Sequence, residues 1–388
     1  MSGRDLDLII VGGSFAGLAC AAAAAARGAR VAVLDQKAEP GARCHTTGII
    51  VKEVAAAWDL PCELTRKIPG VRLYAPGGRS IDLRSPGYYF LATDTPALMR
   101  WFAARAEACG ALLLYGTAFR GARRDRDGIV IDDAGIGARY LIGADGPRSR
   151  VAEVFGLGRN RRFLTGVELE FEGAEGVDVD NLHVLVDYDL APGYIAWAVP
   201  GVEVLQVGLA SNRRAPIDFK RTVDRIASIF DLSGARIVSR RGGRIPTGGP
   251  VRPFHRGNVM LIGDAAGLVS PLTAGGIHTA LHHGRVAGMA VADHLLNGAA
   301  LPASVMRRSM PRFRVKRILR LFADLPIPNR LIDAALSNSL FQAMAQTVFF
   351  HHRGLWSADA WRDMGRTVFN HGSGGTDEGR TAPPDRVT

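Results

Sequence analysis

The sequence predicts an α/β protein in three parts. These are a doubly wound domain assembled from separated segments, an inserted antiparallel sheet, and a helical C-terminal region. Three observations predict it. A strand, glycine turn, helix and strand follow one another in LDLIIVGGSFAGLACAAAAAARGARVAVLDQ. Short alternating segments separated by Asp, Pro and Gly occupy the middle of the chain. Amphipathic stretches with few turn signals close it.

Leu6 to Val11 reads as a short buried strand. Ala16 to Ala26 follows as a helix of small residues, able to lie close to a sheet, and Gly28 marks its end. Val31 to Leu34 is the second strand, with Asp35 at its C-terminal end. The turn fits G-x-G-x-x-G at positions 12, 14 and 17, with Gly12 and Gly17 present and Ser14 in the middle place. A serine hydroxyl there is placed to bond a phosphate oxygen. Asp35 falls at the spacing of the acidic residue that takes a ribose hydroxyl. The frame is therefore that of a Rossmann-like dinucleotide site, lined by Gly12, Ser14, Phe15, Ala16, Gly17, Asp35 and Gln36. By itself it does not separate NAD from FAD, and a tight glycine turn without a ligand is the plain alternative.

Two later motifs narrow the cofactor. In LIGADGPRSRVA a strand ends at Asp145 and Gly146, and Asp145 is placed to cap the next helix. In VMLIGDAAGLVSPLTAGGI, Gly263 and Asp264 follow an apolar run. A buried carboxylate without partners costs several kcal/mol, so hydroxyls or N–H groups must satisfy it. These stretches resemble the D-G and G-D motifs of the p-hydroxybenzoate hydroxylase-type FAD-dependent oxidoreductases, and they occur in the family's order across nearly the whole chain. The resemblance implies FAD, with Asp264 on the ribityl chain. It also sets Thr273 to Ile277 against the end of the isoalloxazine ring, with Gly275 and Gly276 small enough to let the helix end approach. N–H donors and a helix N-terminus there favour the negative charge of reduced flavin.

The middle segments bear on the substrate. In TGVELEFEG, Val167, Leu169 and Phe171 alternate with Glu168, Glu170 and Glu172, which predicts a half-buried antiparallel strand. HVLVDY, YIAWAV and EVLQVGLA follow as further strands. APGYIAWAVP resembles the P-x-x-Y-x-W-x-F-P element of the geranylgeranyl reductase family, as do SPLT at 270–273 and the cysteine in GARCHTTGII. The sequence departs from that family in places. With Trp197 and Pro200 in register, Ile195 takes the tyrosine position, Tyr194 stands one residue early, and Val199 replaces phenylalanine. His45 follows Cys44 where glycine is usual, and Thr95 stands where these flavoproteins usually carry arginine. Ile195 also occupies the first tryptophan position of the W-x-W-x-I-P element of flavin-dependent halogenases.

The resemblance implies reduction of C=C bonds in an isoprenoid chain of a lipid or quinone, by hydride from reduced FAD. A monooxygenase acting on an aromatic or polyketide ring through a C4a-hydroperoxyflavin shares the fold and all three motifs, and is the alternative. A non-catalytic flavin-binding scaffold is a third class. The resemblance places Arg43 and Cys44 at the cofactor, Tyr194, Trp197, Pro271 and Thr273 at the substrate, and Cys44, His45 and Tyr194 as proton donors to test. Plain readings stand beside these: Tyr194 and Trp197 as core residues, and Cys44 as a small buried hydrophobe. The electron donor is expected to be NADPH or a reduced carrier protein.

The composition is that of a soluble globular protein, with 47% hydrophobic and 22% charged residues in 388. A net charge of +11 suggests an anionic partner. Nucleic acid is not favoured, because aromatics are only 7% and no zinc-finger spacing occurs. The four cysteines, Cys20, Cys44, Cys62 and Cys109, lack metal-ligand spacing and fit a reducing cytoplasm. Leu6 to Ala26 imitates a signal peptide, but Asp5, Asp7 and the glycines argue against one. His278, His282 and His283 read as capping or surface residues, with no metal expected.

Residues 307–322 interleave Arg307, Arg308, Arg312, Arg314, Lys316, Arg317 and Arg320 with apolar residues. A solvated amphipathic face and a membrane-surface helix explain this equally well. LFQAMAQTVFF, further on, either lines a substrate tunnel or packs the C-terminal helices. The expected division gives 1–70, 92–160 and 252–300 to the FAD domain and 71–91 with 161–251 to the sheet domain. It leaves 301–371 to the helical region and 372–388 to a disordered tail.

Overall fold

The computed structural model describes residues 6–126, 128–132, 135–212 and 217–350. The expected tail at 372–388, and the last part of the helical region, lie outside these residues.

Five parallel strands form the centre of an eight-stranded sheet, in the order Val259–Leu261, Gly137–Gly143, Leu6–Val11, Val31–Asp35 and Leu112–Tyr115. The apolar runs of the first four are largely buried on both faces, as a sheet between helical layers requires, while the edge strand Leu112–Tyr115 is partly exposed. The Gly12, Asp145 and Asp264 motifs each follow the C-terminal end of one of these strands. In an open parallel sheet that edge is where ligands bind.

A seven-stranded sheet takes strands from both sides of the break in the first domain. Its order is Arg236–Pro246, Phe163–Glu172, Leu205–Ser211, Ala196–Pro200, Asn181–Leu185, Gly70–Tyr74 and Ser80–Arg84. The expected antiparallel pairing holds with one exception, since Asn181–Leu185 runs parallel to Gly70–Tyr74. Those two strands come from distant segments, so no hairpin dictates their direction. A small sheet of Ile50–Val51, Phe90–Thr93 and Thr65–Ile68 lies outside the two larger ones.

The glutamate strand is not half-buried. Leu169 and Phe171 are buried as expected, but Glu168 and Glu170 on the other face are buried too. That face is covered by the segment around Thr47 and by Arg241, not by solvent.

Two helices hold the architecture together. Phe15–Ala25 packs along Ile277–Asn297 at backbone contact. A Cβ at Gly284 would lie 2.3 Å from the Ala16 carbonyl oxygen, and one at Gly288 would lie 2.2 Å from that of Cys20. His283, expected at a cap or on the surface, is buried, and its ring nitrogens lie 2.8 Å from the Thr279 carbonyl and 2.9 Å from that of Ser309.

The basic stretch is two helices, Pro302–Ser309 and Arg314–Ala323, because Pro311 interrupts it. Its cations do not share one solvated face. Arg320 is buried, ion-paired with Asp324 and bonded to the Gly193 carbonyl. The helices Asn329–Leu336 and Ser339–Phe350 place Ile332, Leu336 and Phe350 against Val71, Leu73, Phe90 and Val184. The helical region thus shares a core with the seven-stranded sheet.

A side chain at the helix crossing has backbone, not a flexible neighbour, in its way. Gly288→Val is expected to cost on the order of 3 kcal/mol or more, read as a lowered denaturant midpoint. An unchanged midpoint contradicts the backbone contact.

Candidate functional site

One cavity of about 2110 Å³ lies between the parallel sheet, the seven-stranded sheet and the C-terminal helices. Its volume exceeds the roughly 300–1,000 Å³ of a pocket for one drug-sized ligand. One arm runs along the three motifs. The other is walled by apolar side chains, including Val184, Ile195, Val199, Ile332, Phe341 and Phe349.

The glycine turn builds the first arm. Gly12 has φ +108°, and a Cβ there would meet the Ala144 carbonyl oxygen at 2.3 Å. A Cβ at Gly17 would lie 1.8 Å from the Gly12 oxygen, so Gly17 serves the packing beneath the turn and does not line the cavity. Ser14 precedes the helix in extended conformation and makes no side-chain capping bond. Asp35 braces the turn, accepting from Gly13 N at 2.7 Å and from Lys37 N at 2.8 Å. Ser14, Phe15, Ala16, Asp35 and Gln36 all line the cavity.

In the second motif Ser149, not Asp145, is the N-cap residue, and its hydroxyl accepts from Ala152 N at 2.9 Å. Asp145 Oδ2 supports the same turn through Val151 N at 3.0 Å. Asp145 Oδ1 is buried without a partner, and burial raises the carboxyl's pKa. Gly146, at φ +81°, has no protein atom within 4 Å of where its Cβ would stand.

In the third motif Asp264 lines the cavity from the turn Gly263–Ala266. Among the described residues no donor bonds its carboxylate, and burial raises its pKa to about 6. Gly263 lies behind it, against Ala16. Gly276 sits beside Asp264, where an added Cβ would be 3.4 Å from Oδ1. At Gly275 an added Cβ would meet nothing nearer than Thr273 Oγ1 at 3.6 Å. The protein's own packing does not demand glycine there, but a flat ligand pressed against the loop does. The helix that starts at Ile277 has no side-chain cap, and its first turn lines the cavity. An unsatisfied carboxylate, an open glycine edge and an uncapped helix end together fit a sugar-alcohol chain joined to an anionic ring system.

The segment Cys44 to Ile49 also lines the cavity. His45 Nδ1 lies 2.8 Å from the Gly242 carbonyl, and Arg241 Nη1 donates to the Thr46 carbonyl at 3.0 Å. Thr47 Oγ1 is 2.5 Å from Glu168 Oε2. The Cys44 thiol donates to the Gly41 carbonyl at 3.1 Å, and burial raises its pKa, so it stands as a neutral thiol. Trp197 lies over Gly208, where a Cβ would come within 2.5 Å of its ring, and its Nε1 donates to Glu168 Oε2 at 3.0 Å.

Tyr194 and Thr273 line the cavity and are joined, the Tyr194 hydroxyl donating to the Thr273 carbonyl at 2.6 Å. Its proton is thereby committed to the loop, and burial raises its pKa. Pro271 is buried but does not line the cavity. Arg43 is exposed, at φ 46°, and also lies off the cavity wall. His278 and His282 line the cavity with stacked rings 6.3 Å apart. Sequence reasoning missed Glu168, Arg241 and Arg320, all of which line the cavity. The alternation that marked Glu168 was read as a solvent face, and Arg320 was read as part of a surface charge run.

Asp264 gives a test without ligand. Its raised pKa means that the folded, ligand-free protein pays on the order of 2–3 kcal/mol to keep it ionised. The penalty is absent below about pH 4, where both states are protonated, and complete above about pH 6. Ligand-free Asp264→Asn is therefore expected to be more stable than the parent at pH 7.5, with the gap closing toward pH 4. A gap independent of pH contradicts this reading of the carboxylate.

Residues 5–308 match the FAD binding domain family. Over 316 residues the chain is 30% identical to a digeranylgeranylglycerophospholipid reductase of Methanosphaera stadtmanae, covering 76% of this chain and 79% of that one. The fold is similar to that of a geranylgeranyl bacteriochlorophyll reductase-like protein of Thermoplasma acidophilum, with a TM-score of 0.79 at 19% identity over 95% and 99% of the two chains. It is also similar to that of p-nitrophenol 4-monooxygenase of Pseudomonas putida, with a TM-score of 0.66 at 17% identity over 89% and 98%. The glycine turn, the Asp264 loop and these likenesses agree that the chain is an FAD-dependent oxidoreductase and belongs to the geranylgeranyl reductase family.

Proposed function

We propose that the protein saturates C=C bonds in the isoprenoid chain of a lipid. The observation that carries this reading is the continuity of the FAD arm with an apolar arm large enough for a long hydrocarbon chain. The name of the M. stadtmanae relative supports the same substrate class. FAD, when reduced by NADPH or a reduced carrier protein, supplies the hydride. The chain's residues bind, orient and exclude water. Asp264 takes ribityl hydroxyls, Ser14 and the turn take phosphate, and Asp35 takes ribose. The N–H groups at Ile277 face the ring, and the apolar arm holds the prenyl chain in register with it.

A membrane surface is the source of that lipid in this reading. Ile318, Leu321, Phe322 and Leu325 form one stripe on the helix Arg314–Ala323 and just beyond it, each roughly half exposed or more. Ile327 and Leu331 are exposed as well and also line the cavity, so the apolar arm opens beside the stripe. Arg314, Arg317 and Arg330 are exposed near it. Among the described residues no helix is long and apolar enough to cross a membrane. A lipid tail can thus pass from a bilayer to the mouth without crossing water.

The decisive experiment is anaerobic incubation of dithionite-reduced holoenzyme with prenyl lipids. Saturated product is expected; a product that forms only with O₂ and carries its oxygen assigns a monooxygenase instead. Asp264→Ala is expected to purify without FAD. Gly275→Ala is expected to keep the parent's stability while binding FAD at least about tenfold more weakly, because the new methyl faces the ligand and not the protein. Full yellow occupancy of Asp264→Ala, or a parent-like FAD Kd for Gly275→Ala, contradicts the cofactor placement. Phe322→Ser with Leu325→Ser is expected to reduce binding to anionic vesicles, and Arg314→Glu with Arg317→Glu to weaken it most at low salt. If the parent protein does not bind such vesicles, the membrane contact is wrong.

A further inference from the structure

Hydride addition to an isolated alkene leaves one carbon in need of a proton. Cys44, His45 and Tyr194 are each engaged with a backbone carbonyl in the structure. The cavity wall holds another acidic group. Glu168 and Glu170 are both buried on one strand, and Arg241 of the neighbouring strand is the cation that faces them. Arg241 Nη2 bonds Glu170 Oε1 at 2.5 Å, and Gln206 Nε2 donates to the same oxygen at 3.1 Å. Glu168 Oε1 stands 3.7 Å from Arg241 Nη1, outside hydrogen-bond distance, and is buried without a partner. One arginine thus faces two buried carboxyls and is matched to Glu170. Glu170 holds the short bond to Arg241 and Glu168 only the longer contact, so Glu168 is the carboxyl placed to keep a proton.

The hydrogen bonds say where that proton points. Glu168 Oε2 accepts from Trp197 Nε1 at 3.0 Å and lies 2.5 Å from Thr47 Oγ1. Thr47 Oγ1 donates to an ionised Oε2; once Oε2 is protonated the bond reverses, and the Thr47 hydroxyl hydrogen is free to turn into the cavity that Thr47 lines. Burial raises the Glu168 pKa, in agreement with this placement. The other titratable groups nearby are Cys44, a thiol with raised pKa, and His45, which is bonded to Gly242.

We propose that Thr47 delivers the proton that completes double-bond reduction and that Glu168, held by Trp197, resupplies it. This rests on the reading of the protein as a prenyl reductase. The alkene gains hydride on one carbon from reduced FAD, which is oxidised. The other carbon takes the Thr47 hydroxyl proton, the Thr47 oxygen takes the Glu168 proton, and Glu168 regains one from solvent between turnovers. Thr47 is the catalytic residue in this scheme, and Glu168 acts through it.

Two measurements test the proposal on FAD-loaded, full-length protein. The first is infrared spectroscopy with pH titration, comparing the parent with Glu168→Gln. Glutamine preserves the shape, its carbonyl oxygen accepting from Trp197 and Thr47 in the place of Oε2, but it carries no acidic proton. A protonated-carboxyl band is expected at pH 7 in the parent and absent in the variant. An ionised Glu168 at pH 7 overturns the proposal whatever the substrate is. The second is anaerobic single-turnover reduction of a prenyl lipid. Glu168→Gln and Thr47→Val are each expected to slow it about 100-fold or more, while Thr47→Ser restores most of the rate. In the parent the rate falls as pH rises through the Glu168 ionisation, and Glu168→Gln loses that limb. Parent-like rates in Thr47→Val, or an unchanged alkaline limb in Glu168→Gln, overturn the proposal. If the parent leaves every prenyl lipid intact, the prenyl-reductase reading fails and the relay falls with it, while an infrared result at Glu168 still shows which carboxyl holds the proton.

Discussion

The structure depends on one contact, the crossing of the helices Phe15–Ala25 and Ile277–Asn297 at backbone distance. Alanine, cysteine and glycine meet there because anything larger separates the helices. Each of these helices begins at the cavity, one behind the glycine turn and the other behind the Asp264 loop. Their crossing therefore fixes the distance between two helix N-termini, each carrying about half a positive charge. A cofactor with a pyrophosphate at one end and a reducible ring at the other needs both ends set at once. The alanine-rich sequence is the means, since it trades side-chain burial for closeness of backbone.

Buried carboxyls around the cavity form a second layer of constraint. Burial raises the pKa of Asp145, Asp264 and Glu168. Asp145 has one oxygen engaged in a turn, Asp264 has neither oxygen bonded among the described residues, and Glu168 meets a threonine and an indole. Such groups cost stability unless a ligand pairs with them, so their places describe the ligand's chemistry.

The motifs that point to FAD are legible because they are local. A turn that needs glycine at Gly12 and Gly17, an acidic residue at the end of the next strand, and an aspartate in a small-residue loop all lie within short windows. What was not legible is what covers each face. Alternation at 166–173 separates two faces but does not say that both are buried, so Glu168 passed as a solvent residue. Arg320 sits in a run of cations whose pattern is amphipathic, and only the tertiary packing turns that one side chain inward. The break at Pro311 was readable from the chain itself. The parallel pairing of Gly70–Tyr74 with Asn181–Leu185 was not, since nothing local records a partner so distant in sequence.

The bond from the Tyr194 hydroxyl to the Thr273 carbonyl joins the loop before a substrate-sheet strand to the loop before the long helix. Those loops belong to different layers. A phenol ring does not stretch. The separation of the two loops at this point is therefore set by the covalent length of one tyrosine side chain.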